Sequence, residues 1–390
     1  MTQITAPGAA SLLDDEQRML LDAARKWAER RYGFEQRQAA LASTDGFSRE
    51  HWREMAEMGW LGLGLPEACG GYGGALEAAL VAEQLGGALS AEPWLANTGL
   101  AGPLLAALHA QGATAAAPLL SALAAGESML ALAAFERQGR HDAFDVATRA
   151  LPGADGSLLI DGRKTLVLGG GAARTLLVLA REHGDARATD GLSLFAVPAD
   201  APGVHVRALP TYDGRQTADV ALRGVRVPPA ARLGAAGGAW SAVEAALDHA
   251  TAMLCAECVG AMDRLIDMTR EYVLARKQFG RTIASNQVIQ HRLVDLWVAA
   301  QQARALTAAA VDALADTAPR RARAVSLAKA FVCAQGRAVG EDGVQLHGAI
   351  GMTDEYAVGH YYKRLAAAAN LFGDEPWHLA RLDALERSQG

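Results

Sequence analysis

The spacing of apolar positions changes character twice along the chain. From Asp14 to about Gly126 it is helical: Met19, Leu20, Ala23, Ala24 and Trp27 recur at intervals of three and four and predict one face of an amphipathic helix. Ser48 stands where a cap belongs, ahead of a helix carrying Trp52, Met55 and Met58. A glycine-rich loop, PEACGGYGG, follows at Pro66 to Gly74. Further helices are expected over Leu76 to Leu85 and Leu100 to Ala125, with Pro93 and Pro103 as boundaries. From about Glu127 to Gly234, short runs (LLID, TLVLG, TLLVLAR, LSLFAVP, HVRAL, ADVAL, VRV) alternate with turn signals such as ADG, DGRK, TDG and YDGR. That texture predicts a sandwich or small barrel. Beyond Gly234 to Gly238 the pattern is long helix, with Trp240, Val243, Leu247, Leu254, Met262, Leu265, Ile266 and Tyr272 leading to a stop at Gly280. Asn286 to about Ala315 and Arg320 to about Leu346 repeat it. Three long helices and a shorter C-terminal one read as an antiparallel bundle. The predicted fold is α+β and multidomain: an N-terminal all-α domain (1–126), a central β-barrel or sandwich (127–234) and a C-terminal four-helix bundle (235–390).

A chain of 390 residues exceeds one ordinary core. Its 51% apolar content is rich in alanine, which favours helix and close helix packing. A net charge of −6, with no Lys/Arg block, argues against a nucleic-acid partner. No window holds 18 uninterrupted apolar residues, so no membrane span is expected. Met1 to Ser11 lacks the basic and apolar regions of a signal peptide, and a cytoplasmic location is the expectation.

Cys69, Cys255, Cys258 and Cys333 are too few and scattered for a disulfide framework. The CAEC run at Cys255 to Cys258 has redox or metal spacing, but it falls mid-helix without a second pair and reads as buried helix packing. The glycine runs at Gly169 to Gly171 and Gly237 to Gly238 belong to no βαβ unit, which removes the dinucleotide-fold and P-loop readings. No His-x-x-x-His pair shares a helix, and His360, beside Tyr361 and Tyr362, reads as a surface or interface residue. No metal site is expected. Arg276 stands out. At the end of a long helix, its planar guanidinium is either a cation complementing the helix dipole or a fork for two pyrophosphate oxygens.

Two stretches carry a resemblance: RKQFGRTIASNQVIQHRLVDL, Arg276 to Leu296, and QLHGAIGMTDEY, Gln345 to Tyr356. Together with the order of the three textures, they resemble the acyl-CoA dehydrogenase family. The resemblance spans nearly the whole chain and implies FAD as cofactor, an acyl-CoA substrate and electron-transfer flavoprotein as electron acceptor. It implies that Arg276, Phe279 and Gln287, with Gln345, Gly348 and Ala349, hold the ADP end of FAD. In the family these residues serve the flavin of a neighbouring subunit, so a homo- or hetero-oligomer with a related subunit is implied.

The chain departs from the family pattern where proton abstraction belongs. The two positions at which members carry the base correspond to Gly373 and Ala250. Asp374 and Glu375, just beyond the first, are the candidate substitutes, although acidic residues also suit the start of the last helix. The family's aromatic and hydroxyl residues near the flavin ring are replaced by Leu166 and Leu168, and its hydroxyl-rich loop by FERQGRHD, Phe135 to Asp142. The ending LFGD and this loop resemble the small subunits of heteromeric bacterial acyl-CoA dehydrogenases, including the pimeloyl-CoA type. The expected function is FAD-dependent α,β-dehydrogenation of an acyl-CoA as one subunit of an oligomer. The alternatives are a non-catalytic partner subunit that shares FAD, and a flavin oxidase or monooxygenase of the same fold.

Overall fold

The computed structural model describes residues 13–387; the stretch read for a leader, Met1 to Ser11, lies outside them. The chain forms two compact units. One takes the residues up to Gln38, Ala79–Ser90 and those from Thr251 onward; the other takes Ala39–Ala78 and Ala91–Ala250.

The first unit is helical. Asp14 and Gln17 form a reciprocal capping box that starts the helix Asp15–Arg31. Ala24 and Trp27 are buried on it, whereas Met19 and Ala23 face out, so the buried face is narrower than the spacing implied. The bundle contains Gln287–Asp312, Ala318–His347 and the C-terminal part of Trp240–Ala275. Two short helices, Ala357–Ala368 and Glu375–Arg387, follow in place of the single one expected. The break between them is conformational: Phe372 and Gly373 take φ of 59° and 112°, which no helix accommodates. His360 is buried, against expectation. Its Nδ1 lies 3.2 Å from Nη1 of Arg37, which is itself buried and donates from Nε to the Leu89 carbonyl.

Two glycines allow the segment 79–87 to cross Trp240–Ala275 at backbone contact. A Cβ on Gly260 would lie 1.8 Å from the Glu83 carbonyl oxygen, and one on Gly86 would lie 2.0 Å from that of Glu257. Arg304 closes the crossing by donating to both Glu83 and Asp263. Burial pushes the Asp263 carboxyl up to about 6 although Arg304 opposes it.

The second unit is built on one eight-stranded sheet, which fills the place of the expected barrel or sandwich. Its strands are β1 (Leu130–Ala133), β2 (Arg149–Pro152), β3 (Leu158–Leu168), β4 (Thr175–Arg181), β5 (Leu192–Pro198), β6 (Val204–Pro210), β7 (Gln216–Val227) and β8 (Arg232–Leu233). The order is β6-β7-β3-β2-β4-β5-β8, with β1 parallel to β4. Ile160, Val178, Phe195, Val220 and Leu222 meet in its core. LLID, DGRK and TLVLG prove to be one strand, β3, because its register shifts absorb the apparent turn as an irregularity. ADVAL and VRV likewise lie together in β7.

One ion pair is sealed inside this unit. Lys164 Nζ lies 2.7 Å from Glu136 Oε1, and both residues are buried. Glu136 also accepts from the Thr148 hydroxyl, the Ala147 and Thr148 N–H groups and the Gln138 amide. Burial pushes the Glu136 carboxyl up, but Lys164 and these donors hold it down at about 2.

Two tests follow from this packing. Gly260→Val should destabilise the protein by about 3 kcal/mol, because the obstacle is a backbone oxygen rather than a side chain that can swing away; denaturant midpoints at constant slope measure it. Lys164→Met should cost about 3–5 kcal/mol by leaving Glu136 buried without its cation. Because the Glu136 pKa is lowered on folding, its contribution is complete above about 4.5 and lost as pH falls towards about 2. Acid titration of stability should therefore be flatter in Glu136→Gln across that window.

Candidate functional site

The helix Trp240–Ala275 ends earlier than Gly280, and the chain continues as a hairpin. Lys277–Gln278 pairs antiparallel with Arg281–Thr282 across a two-residue turn of Phe279 and Gly280. Both turn residues have positive φ, 51° and 79°. That geometry suits Asn-Gly; a phenylalanine in the first position costs on the order of 1 kcal/mol. The Phe279 ring is also fully exposed (102%). Neither feature helps this chain fold. The Ile283 N–H donates to the Arg276 carbonyl at 2.9 Å and closes the hairpin onto the start of the next helix.

Three helix ends meet here. Tyr272 stacks on His347 with ring centroids 4.5 Å apart, joining the last turns of Trp240–Ala275 and Ala318–His347. Arg292 donates to Asp342 at 2.8 Å, bringing the first turns of Gln287–Asp312 to the same end of the bundle. Arg276, Gln287 and Gln345 therefore share one end of this unit. All three are exposed, and none makes a side-chain hydrogen bond or ion pair with the described residues. Their neighbour Arg281 is instead engaged with Asn286. Gly348, at φ 66°, has nothing within 4 Å of where a Cβ would stand, and Ala349 is exposed. The helix Gln287–Asp312 begins without a side-chain cap, leaving its first N–H groups for an outside acceptor. An unengaged fork, two amides and an uncapped N-terminus suit the diphosphate and sugar of a dinucleotide, so these residues fit the ADP end of FAD.

The candidate acid–base residues are differently placed. Gly373 is buried, and a Cβ there would lie 2.6 Å from Trp377 Cε3 and 2.7 Å from His378 Nε2. Its carbonyl accepts from Lys329 Nζ at 2.8 Å, and the buried Lys329 also reaches the Cys333 thiol and the Ala369 carbonyl. The position is filled from both sides. Asp374 caps the final helix, its Oδ1 accepting from the Trp377 N–H at 3.0 Å; Glu375 is the exposed first residue of that helix. In the other unit Ala250 is fully buried. Leu166 occupies the irregular part of β3 at φ 51° and is exposed, while Leu168 is buried. Within FERQGRHD, Glu136 is taken up by Lys164. Cys255 and Cys258 are buried thiols in mid-helix, and burial pushes Cys255 well above its usual range.

Two groups escaped sequence reasoning. Lys329 looks like any surface lysine in one dimension, and only the fold buries it under the Ala369–Gly373 turn. His249 has no histidine partner along its helix, yet its Nδ1 lies 2.8 Å from the Gly99 carbonyl oxygen. Its position next to Ala250 was the available signal.

Three family models divide the chain among them: acyl-CoA dehydrogenase N-terminal domain over residues 14–127, middle domain over 131–225 and C-terminal domain over 237–382. Acyl-CoA dehydrogenase IpdE2 of Mycobacterium tuberculosis (strain ATCC 25618 / H37Rv) is 30% identical over 372 residues, covering 95% of this chain and 97% of that protein. A variant of the Tcur3481-Tcur3483 steroid ACAD superposes with a TM-score of 0.85 at 27% identity, over 96% of this chain and 98% of that one. The ChsE4-ChsE5 complex of Mycobacterium tuberculosis contributes a chain matching with a TM-score of 0.82 at 25% identity, over 97% and 98%. No helix among the described residues is long and apolar enough to cross a membrane. With three modules matched in order, the chain belongs to the acyl-CoA dehydrogenase family of FAD-dependent oxidoreductases acting on CH–CH bonds.

Proposed function

We propose that this chain is one subunit of an oligomeric acyl-CoA dehydrogenase, in which Arg276, Phe279, Gln287, Gln345, Gly348 and Ala349 hold the ADP end of an FAD whose flavin ring is served by a neighbouring subunit. The supporting observation is the set of unengaged polar groups beside a strained, fully exposed aromatic at one end of the bundle. The strained, exposed aromatic is costly in a free chain and is accounted for by contact with a ligand or a second chain. Val288, Val294, Trp297 and Val298 also lie exposed on Gln287–Asp312, an apolar face suited to subunit contact. The Tcur3481-Tcur3483 and ChsE4-ChsE5 structures are each named for a pair of proteins, which supports a related second subunit.

When bound, FAD supplies the two-electron acceptor for hydride from the substrate β-carbon. The chain's own contribution at that end is recognition. The Arg276 fork pairs with phosphate oxygens, Gln287 and Gln345 offer amide hydrogen bonds, and the open space at Gly348 allows close backbone approach. Electron-transfer flavoprotein is the acceptor of electrons in this reading, acyl-CoA is the substrate, and the compartment is cytoplasmic. The division into modules at 1–126, 127–234 and 235–390 goes with it. A second reading is a non-catalytic subunit that shares FAD with its partner, as in the small subunit of a pimeloyl-CoA-type heteromer. The closure of Gly373 by Trp377 and His378 favours it.

Purification separates these readings. A yellow protein that reduces a dye acceptor with acyl-CoA is a self-sufficient dehydrogenase; a colourless one that gains flavin only on co-expression with a related subunit is the sharing partner. Peroxide release without any acceptor would instead identify an oxidase. In either dehydrogenase form, Arg276→Ala should weaken FAD retention about 10–100-fold, the scale of a lost charged hydrogen bond; flavin fluorescence after dilution reads it. Phe279→Asn should raise the stability of the chain by about 1 kcal/mol through relief of the turn while lowering FAD retention.

A further inference from the structure

We propose that His249 is the general base of this chain, its Nε2 taking the α proton of the acyl-CoA thioester in place of the carboxylate missing at Gly373 and Ala250. The proposal rests on the dehydrogenase reading above and concerns the thioester bound by this chain itself.

The constraint on His249 begins in a neighbouring helix. Residues Asn97–Ala101 form a buried π-helical segment that continues into the helix Gly102–Ala110. In α geometry the Gly99 carbonyl would accept from residue 103, which is Pro103 and has no N–H. That carbonyl instead faces His249, 2.8 Å from Nδ1. A carbonyl only accepts, so Nδ1 carries the proton and Nε2 carries the lone pair. The anchoring segment is itself held firmly. Asn97 Oδ1 accepts from the Leu130 N–H at 2.7 Å, its Nδ2 donates to the Pro93 carbonyl, and the Thr98 hydroxyl donates to the Leu61 carbonyl. Segments of this kind recur at functional sites because the widened turn frees a backbone group for other work.

The other side of the ring is left open. His249 is half-buried, and Nε2 meets no donor or acceptor among the described residues. It is not among the buried polar atoms that lack a partner. A tautomer fixed by the backbone, with its basic nitrogen free, is the arrangement general-base catalysis needs. Burial lowers the His249 pKa while the Gly99 carbonyl opposes the shift, so the ring is neutral, and able to accept, at pH 7. The competitors are worse placed. Asp374 is committed to its helix cap, Glu375 stands in solvent, and Ala250 is packed to complete burial.

In the step itself the Cα–H bond breaks, the proton passes to Nε2, and the electron pair left behind becomes the new C=C bond. The β-hydrogen leaves with its own pair as hydride for FAD, so the substrate is oxidised by two electrons and the cofactor reduced by two.

The test uses the FAD-loaded protein, with its related subunit if that is needed for loading. Saturated acyl-CoA thioesters from butyryl-CoA to palmitoyl-CoA are the probes. Two readouts are followed: dye reduction, and exchange of the α-hydrogen for deuterium in heavy water by mass spectrometry. His249→Gln keeps a donor for Gly99 but no basic nitrogen, and should lose both signals by about 10²–10⁴-fold while retaining FAD. His249→Ala should behave alike and recover part of its exchange on addition of imidazole, which a purely structural residue would not show. If the wild type exchanges the α-hydrogen and His249→Gln exchanges it as fast, or if Glu375→Gln alone abolishes exchange, the base assignment is overturned and the dehydrogenase reading stands. A wild type that neither retains FAD nor exchanges overturns both.

Discussion

The stack of Tyr272 on His347 and the ion pair of Arg292 with Asp342 hold three helix ends at one end of the bundle. Without those two contacts, Arg276, Gln287 and Gln345 would be three polar residues scattered over seventy positions of sequence. With them, a guanidinium, two carboxamides and an uncapped helix N-terminus form one exposed surface without side-chain partners among the described residues. Arg281 is bound by Asn286, Arg304 by two carboxylates and Arg37 by a backbone carbonyl and an imidazole. Those three cations serve the fold, whereas Arg276 makes no side-chain hydrogen bond or ion pair with the described residues.

A similar contrast separates the two positions where a carboxylate would act in other members of the family. Each is occupied by packing rather than left as a gap. Trp377 and His378 close against Gly373, and the Ala250 methyl is fully covered. Restoring glutamate at either place would force atoms into occupied volume, a larger change than the substitution itself. Both positions are closely packed, while His249, next in sequence to Ala250, has a fixed tautomer and an open nitrogen.

The end of the bundle that carries Arg276 bears backbone strain. Phe279 occupies a left-handed turn position and exposes its whole ring, two costs that Asn would avoid. The exposed apolar residues from Val288 to Val298 lie on the helix that follows directly. Strain and apolar exposure within one hairpin and the next helix are the marks of a surface completed by something outside the chain.

Much of this was legible in one dimension. Periodicity located the long helices, the alternating short runs located the sheet, and the motif from Arg276 to Leu296 pointed to the family, because all three are local properties of consecutive residues. Local patterning misled where neighbours decide. DGRK reads as a turn but lies inside β3, since strand pairing can absorb an irregular residue pair. Gly280 looks like a helix stop, yet the helix ends at Ala275, because the hairpin pairs residues on both sides of the turn. His360 has the look of a surface residue until Arg37, more than three hundred positions away, is set against it. The sequence by itself determined the order of elements and the family. Which cations are unengaged, which vacancy is filled and which imidazole nitrogen is free were decided only by tertiary structure, since each depends on groups brought together by folding rather than by the chain's own succession.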